Sequence, residues 1–297
     1  MLSSAYTTYR PLLLSIAYRM LGSVSDAEDI VQDVFVTLTM KKHASADDRA
    51  EDHQWKPYLC KIVTNRCLDL LRSARRKREL YVGPWLPEPL VRELPGHDHG
   101  DPLQTIELTD SISYAVMVML QHLTPVERAV FILREPFGFG YSEVAEILGK
   151  TELGCRKIYS RLRKKIDGLQ PEEGTVSEAS ELLHRFIRAA TSGDLDGLIA
   201  LMHEDIAAES DGGGKVAAAT RAISTPQHVA AFLSGLAKML NETTTARPIL
   251  VNGRPGVLVA SADGLSDAVI SLEIWNGRIR RIYIVRNPNK LSHIKLR

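Results

Sequence analysis

Residues Tyr58–Arg78, YLCKIVTNRCLDLLRSARRKR, constrain this chain most. Leu59, Ile62, Val63, Leu70 and Leu71 recur at helical spacing, and Lys61, Asn65, Arg66, Asp69 and Arg72 make the polar face. Arg75, Arg76, Lys77 and Arg78 then add four consecutive positive charges. A second basic helix is expected at Thr151–Ile166, TELGCRKIYSRLRKKI. Two such helices joined by a proline-rich stretch point to a protein that grips nucleic acid at two places. The formal net charge is only +1, so the basicity is local, and local clustering is what makes an electrostatic footprint.

The second helix closes a helix-turn-helix pattern. Tyr141–Leu148 reads as a short helix opened by Ser142, Gly149-Lys150 as the turn, and Thr151 as the next cap. Cys155, Ile158, Tyr159, Leu162 and Ile166 then face a core, while Arg156, Lys157, Ser160, Arg161 and Lys164 face away. In this motif the second helix enters the major groove, where arginine reads guanine through two hydrogen bonds. The alternative is a solvated basic face on a plain bundle. The Tyr58–Arg78 helix admits the same pair of readings: a surface helix, or one whose charges track phosphates. Trp55 and Tyr58 lie just upstream, as core residues or as stacking platforms for unpaired bases.

At 297 residues the chain has room for two or three domains. Residues 1–78 read as helices, with Leu13, Ile16, Ala17, Met20 and Leu21 in one stripe. A helix over Asp26–Met40 is expected to open on Ser25 with Glu28 completing a capping box. Residues 79–109 carry five prolines and read as an irregular tether. Residues 110–170 are helical again, with Thr124-Pro125 starting one helix. Residues 171–297 read as an α+β domain: a helix over Val176–Met202, another over Thr225–Leu240, and strands at 248–252, 256–261, 267–275 and 278–285. Asn276-Gly277 is a hairpin turn.

Three cysteines at no metal-binding spacing read as reduced thiols, with a redox switch as the alternative, and neither metal nor cofactor is expected. No run of about 18 apolar residues appears, so no membrane contact is expected, and the N-terminus reads as mature protein. A cytoplasmic location follows from both.

The order of these blocks resembles the extracytoplasmic-function sigma factors of the sigma-70 family. The resemblance rests on SDAEDIVQDVF, YLCKIVTNRCLDLLRSARRKR and LTPVERAVFILREPFGFGYSEVAEILGKTELGCRKIYSRLRKKI, and covers residues 5–168. It implies a protein that binds RNA polymerase core, melts the −10 element with its first helical domain and reads the −35 duplex with its second. Asp26, Glu28, Asp29, Gln32 and Asp33 match the core-binding helix, which meets the polymerase clamp helices. Lys61, Asn65, Asp69, Arg72, Arg75 and Arg76 fall on the −10 helix; Arg156, Lys157, Ser160 and Arg161 match the −35 face. Tyr58 stands where the family usually has tryptophan. A fully extended tether of 31 residues reaches about 100 Å. Elements about 17 base pairs apart need only about 58 Å.

The C-terminal part resembles a SnoaL-like, NTF2-related cone of curved sheet and helices, and two strings point to the SigJ-type subgroup of sigma factors. These are Trp85-Leu86-Pro87-Glu88-Pro89 and Asp211-Gly212-Gly213-Gly214-Lys215, with Asn287–Leu291 a near match. Both strings are expected to be regulatory. The glycine loop is either a hairpin turn between two early strands or a loop that docks on the tether or on the DNA-binding domains and sets their geometry. His184, His203 and His228 form no recognisable acid–base constellation, so no enzyme activity is expected; a small-molecule ligand of this domain stays open. A ligand-responsive repressor and a SnoaL-type enzyme are the competing classes.

Overall fold

The computed structural model describes residues 2–44, 55–79, 81–93, 112–166, 176–239, 243–261 and 266–294. They divide into two compact units, one holding the described residues of 1–79 and 117–170, the other those of 80–100, 112–116 and 171–297. Among the described residues no helix is long and apolar enough to cross a membrane.

The first unit is all helical. Helices α1 (Leu2–Leu21), α2 (Val24–Ala44) and α3 (Trp55–Glu79) bury the expected stripes, with Leu13, Ile16, Met20, Val31, Val34, Leu59 and Val63 at 2% exposure or less. The α2 cap differs from expectation. Helix α2 starts two residues earlier, and the Asp26 amide donates to Ser23 Oγ at 3.2 Å, because Ser25 already lies inside the first turn. Helices α4 (Tyr114–Gln121), α5 (Pro125–Arg134), α6 (Tyr141–Leu148) and α7 (Glu152–Ile166) follow. Helix α5 starts at Thr124-Pro125 as expected, and Thr124 caps it with Glu127 in a reciprocal capping box that sequence reasoning missed. Gly140, not Ser142, precedes α6, and its amide donates to Glu143 at 2.6 Å.

The two helical groups of this unit share packing. Arg128 on α5 is 2% exposed, and its guanidinium donates to Met20 O at 2.5 Å and to Gln121 Oε1 at 3.0 Å. Met20 sits in the last turn of α1, where an unpaired carbonyl and the negative dipole end favour a cation. Arg19 lies 4.8 Å from the Phe137 ring centroid and Lys56 5.4 Å from that of Phe139.

The second unit is built on a seven-stranded sheet of order β1-β4-β5-β6-β7-β2-β3. Its strands are β1 (Val91–Arg92), β2 (Met202–Asp211), β3 (Ile223–Ser224), β4 (Thr245–Val251), β5 (Arg254–Ala260), β6 (Ser266–Trp275) and β7 (Arg278–Val285). All neighbours are antiparallel except β2 and β7. Helices α8 (Val176–Ser192), α9 (Leu195–Leu201) and α10 (Pro226–Ala237) cover one face, packing Leu183, Phe186, Leu198 and Val229 into one core with the sheet residues Ile282 and Ile284, and α11 (Pro288–Leu291) follows β7. The helix expected over Val176–Met202 is two helices: Gly193 takes φ +73° and Asp194 caps the second by accepting from the Gly197 amide at 2.8 Å.

The larger correction concerns the tether. Residues 81–93 are ordered against the second unit, with Leu86 at 0% exposure and β1 paired to β4; residues 94–109 lie outside the described set. The strands β1 and β3 are two residues each, too short for a periodic signal, and β2 reads MHEDIAAESD, too polar to announce itself.

The cysteines are all buried. Desolvation pushes the Cys60 thiol up to about 12 and that of Cys67 further, so both stay protonated and unreactive. A thiol reagent at pH 8 is therefore expected to label none of the three until denaturant unfolds the chain; labelling at the native plateau counts against this. Gly149 closes α6 at φ +62° with open space around it. Gly149→Ala is expected to cost about 1–2 kcal/mol through backbone strain alone, read by denaturant unfolding.

Candidate nucleic-acid interface and linker clamp

Helix α7 is built as a presentation surface. Cys155, Leu162 and Ile166 are buried, while Arg156, Lys157, Ser160, Arg161 and Lys164 are all exposed on the opposite side. The αL Gly149 sets the turn, and Thr151 Oγ1 accepts from the Gly154 amide at 3.1 Å, fixing the first turn of the helix. Arg156 is held in place: Nε and Nη2 both donate to Glu152 Oε1, at 3.1 and 2.6 Å, and its guanidinium sits 4.6 Å from the Tyr141 ring centroid.

On α3, Asp69 and Arg72 are exposed and paired at 3.1 Å, Lys61 and Asn65 are half-buried, and Tyr58 is 45% exposed, packed edge-on to Trp55. Tyr58 is therefore not a core residue. Arg75 and Arg76 lie on α3, and their side chains are outside the described set. On α2, Asp26, Asp29, Gln32 and Asp33 are exposed along one side, and Glu28 lies 3.8 Å from Arg10.

The second unit brings together three strings far apart in sequence. Asp211, at the end of β2, is fully buried, and its two oxygens take four hydrogen bonds. Oδ1 accepts from Tyr81 Oη at 2.6 Å and the Gly213 amide at 2.9 Å. Oδ2 accepts from the Leu86 amide at 2.9 Å and Lys290 Nζ at 2.7 Å. Lys290 also donates to Leu86 O, and its ammonium lies 3.9 Å from the Trp85 ring centroid and 5.2 Å from that of Tyr81. Burial, and then the bond to the Asp211 carboxylate, push the Tyr81 hydroxyl well above its usual range.

The rest of the segment is tied down along its length. Tyr114 Oη donates to Pro87 O at 2.6 Å, and its ring packs 5.7 Å from that of Tyr283. His293 Nε2 donates to Pro89 O at 3.0 Å. The Leu90 amide donates to Asn252 Oδ1 at 3.0 Å, and the Asn252 amide donates back to Leu90 O at 2.8 Å. Glu88 is buried at 8% exposure. The peptide then joins the sheet edge as β1, a β-augmentation within one chain.

The glycines of the loop have separate reasons. Gly213 takes φ +61°, and a Cβ there would overlap the Asn287 amide, which itself donates to Tyr81 Oη at 2.9 Å. Gly212 faces Val216 O just as closely. The loop is thus the β2–β3 connection and at the same time a wall of the clamp. Lys215 is exposed and donates to Asn289 Oδ1 at 2.7 Å, a bond that needs no charge on residue 289.

Sequence reasoning missed Tyr81, Tyr114, Asn252 and His293 as clamp members, and missed that Lys290 is the cation facing Asp211. The one readable signal for Lys290 was its place in the Asn287–Leu291 string. The helices thus define a two-part, helix-turn-helix-containing DNA-binding factor carrying a C-terminal α+β domain.

Comparison with known proteins agrees. Residues 5–77 match the model for Sigma-70 region 2, and residues 113–166 that for Sigma-70, region 4. The chain is 33% identical to the ECF RNA polymerase sigma factor SigJ of Mycobacterium tuberculosis, over 97% of this chain and 93% of that protein. It is 30% identical to the probable ECF RNA polymerase sigma factor SigI of the same organism, over 99% and 96%. The crystal structure of the Mycobacterium tuberculosis SigJ superposes with a TM-score of 0.76 at 29% identity, covering 99% of this chain and all of that one. The chain belongs to the extracytoplasmic-function sigma factors of the sigma-70 family. It is a transcription initiation factor and not an enzyme.

Removing one partner of a buried ion pair strands the other charge. Lys290→Met is expected to destabilise the C-terminal unit by about 3–5 kcal/mol and to red-shift Trp85 emission as its segment loosens. An unchanged melting temperature together with unchanged emission would remove the pair from the centre of the clamp.

Proposed function

We propose that this sigma factor binds polymerase core through Asp26, Glu28, Asp29, Gln32 and Asp33, and opens the −10 element with Lys61, Asn65, Asp69, Arg72, Arg75 and Arg76. It reads the −35 duplex with Arg156, Lys157, Ser160 and Arg161, and its C-terminal domain controls the step by holding the linker. The observation that carries the control is the Asp211–Lys290 pair closed on the backbone of Leu86.

The mechanism follows from reach. Helices α1 and α5 share a buried arginine, so the −10 and −35 readers lie packed in one unit. Promoter elements about 58 Å apart require them to separate. A free tether of 31 residues reaches about 100 Å and allows this. With residues 81–93 and Tyr114 fastened to one domain, that reach is lost, and the clamp decides when and how far the readers part.

The test is transcription with bacterial core polymerase on promoters of graded spacer length. The intact chain is expected to initiate within a narrow range of spacers. Tyr114→Phe, which removes one clamp bond without altering packing, and Asp211→Asn are expected to broaden that range. Identical spacer profiles for all three proteins reject control through the linker. Initiation that does not depend on Arg156 and Lys157 rejects the assignment of α7.

A second reading is favoured by a cavity of about 340 Å³ beside Tyr114, lined also by Glu178, Arg185, Arg254 and Glu273. Desolvation holds the Glu273 carboxyl above its usual range, and Tyr283 Oη donates to it at 3.2 Å. A small molecule bound there would press on Tyr114 and so on the Pro87 bond. Compounds that raise the melting temperature of the intact chain but not of Glu273→Gln support this reading; compounds indifferent to the substitution do not.

A further inference from the structure

Leu153 is a large apolar side chain left 63% exposed in the first turn of α7. Counting along the helix, 153, 156, 157, 160, 161 and 164 fall three and four apart, so Leu153 heads the same stripe as Arg156, Lys157, Ser160, Arg161 and Lys164. The buried seam of Cys155, Leu162 and Ile166 points the other way, so this leucine is not a displaced core residue. Its surroundings are fixed. Thr151 caps the turn, and the pairing of Glu152 with Arg156 draws those two side chains onto each other.

Residues at the N-terminal end of a groove-entering helix approach base edges. The major groove offers an apolar side chain one good partner, the C5 methyl of thymine. We propose that Leu153 is a specificity-determining residue that reads a thymine methyl in the −35 element, next to the base contacted by Arg156. The inference rests on α7 being the −35 reader. Covering the leucine with a methyl removes apolar surface from water on both sides, whereas any base without a methyl leaves it against polar edges.

The test separates the methyl from the hydrogen bonds of the same base. A promoter is selected from a randomised library by holoenzyme containing the full-length chain. Each thymine of its −35 element, on either strand, is then replaced singly by deoxyuridine, which lacks only the methyl. The wild-type protein is expected to lose about fourfold in promoter binding at one of these positions, the factor that burial of one methyl is worth. Leu153→Ala is expected to bind the thymine promoter about as weakly as wild type binds the uracil one, and to show no difference between the two. Because Leu153 is exposed, the variant keeps its fold, and an unchanged melting temperature checks this. Wild type indifferent to uracil at every position overturns the proposal, as does Leu153→Ala with the wild-type thymine preference intact. Arg156→Ala serves as the separate control for α7: loss of binding on every template keeps the −35 assignment, so a missing methyl effect then counts against Leu153 alone. Full binding by Arg156→Ala overturns both.

Discussion

The second unit depends on a carboxylate that has no access to water. Asp211 is fully buried, and a charge there is tolerable only because four donors converge on it. Two of the four, Tyr81 and the Leu86 amide, come from the segment between the helical regions, and one, Lys290, from the end of the chain. The interaction therefore exists only when all three pieces are assembled. Removing the linker segment would leave both Asp211 and Lys290 short of partners, so the C-terminal domain and the linker form one folding unit rather than a domain and a passing strand.

That arrangement accounts for the glycine loop and the prolines together. The loop must bring Asp211 against the segment without a Cβ striking Asn287, and Gly213 meets this condition. The prolines expose carbonyls without amides of their own: Pro87 accepts from Tyr114 and Pro89 from His293, so no orphan amide is buried at either place. A composition that reads as a flexible tether is in fact suited to an extended peptide fastened from outside.

The same physics separates the two ends of the molecule in kind. On the helical side, the groups assigned to recognition under the proposal sit on exposed faces, where ion pairs such as Asp69–Arg72 contribute little to stability. On the C-terminal side, Asp211 and Lys290 are buried and hydrogen-bonded to several partners each.

The helical half was legible because its signals are local. The stripes of α1 and α2, the helix start at Thr124-Pro125, the turn at Gly149 and the two-sided pattern of α7 each need only residues three or four apart. The sequence by itself therefore determined the helices, the exposed basic face and the Asn276–Gly277 hairpin, because 3.6-residue and two-residue periods are properties of the chain alone. It did not determine which serine begins α2, since Ser23 and Ser25 offer the same hydroxyl and packing of the preceding turn decides between them. Nor did it determine the fate of residues 81–93. Apart from the Tyr114 bond to Pro87, their bonds run to Asp211, Asn252, Lys290 and His293, more than 120 residues away, and nothing local distinguishes a proline-rich peptide that is held from one that is free. Only the tertiary structure, by setting the end of β2, the β4–β5 turn and the C-terminal turn against this segment and pairing its last residues with β4, turned a tether into part of a sheet.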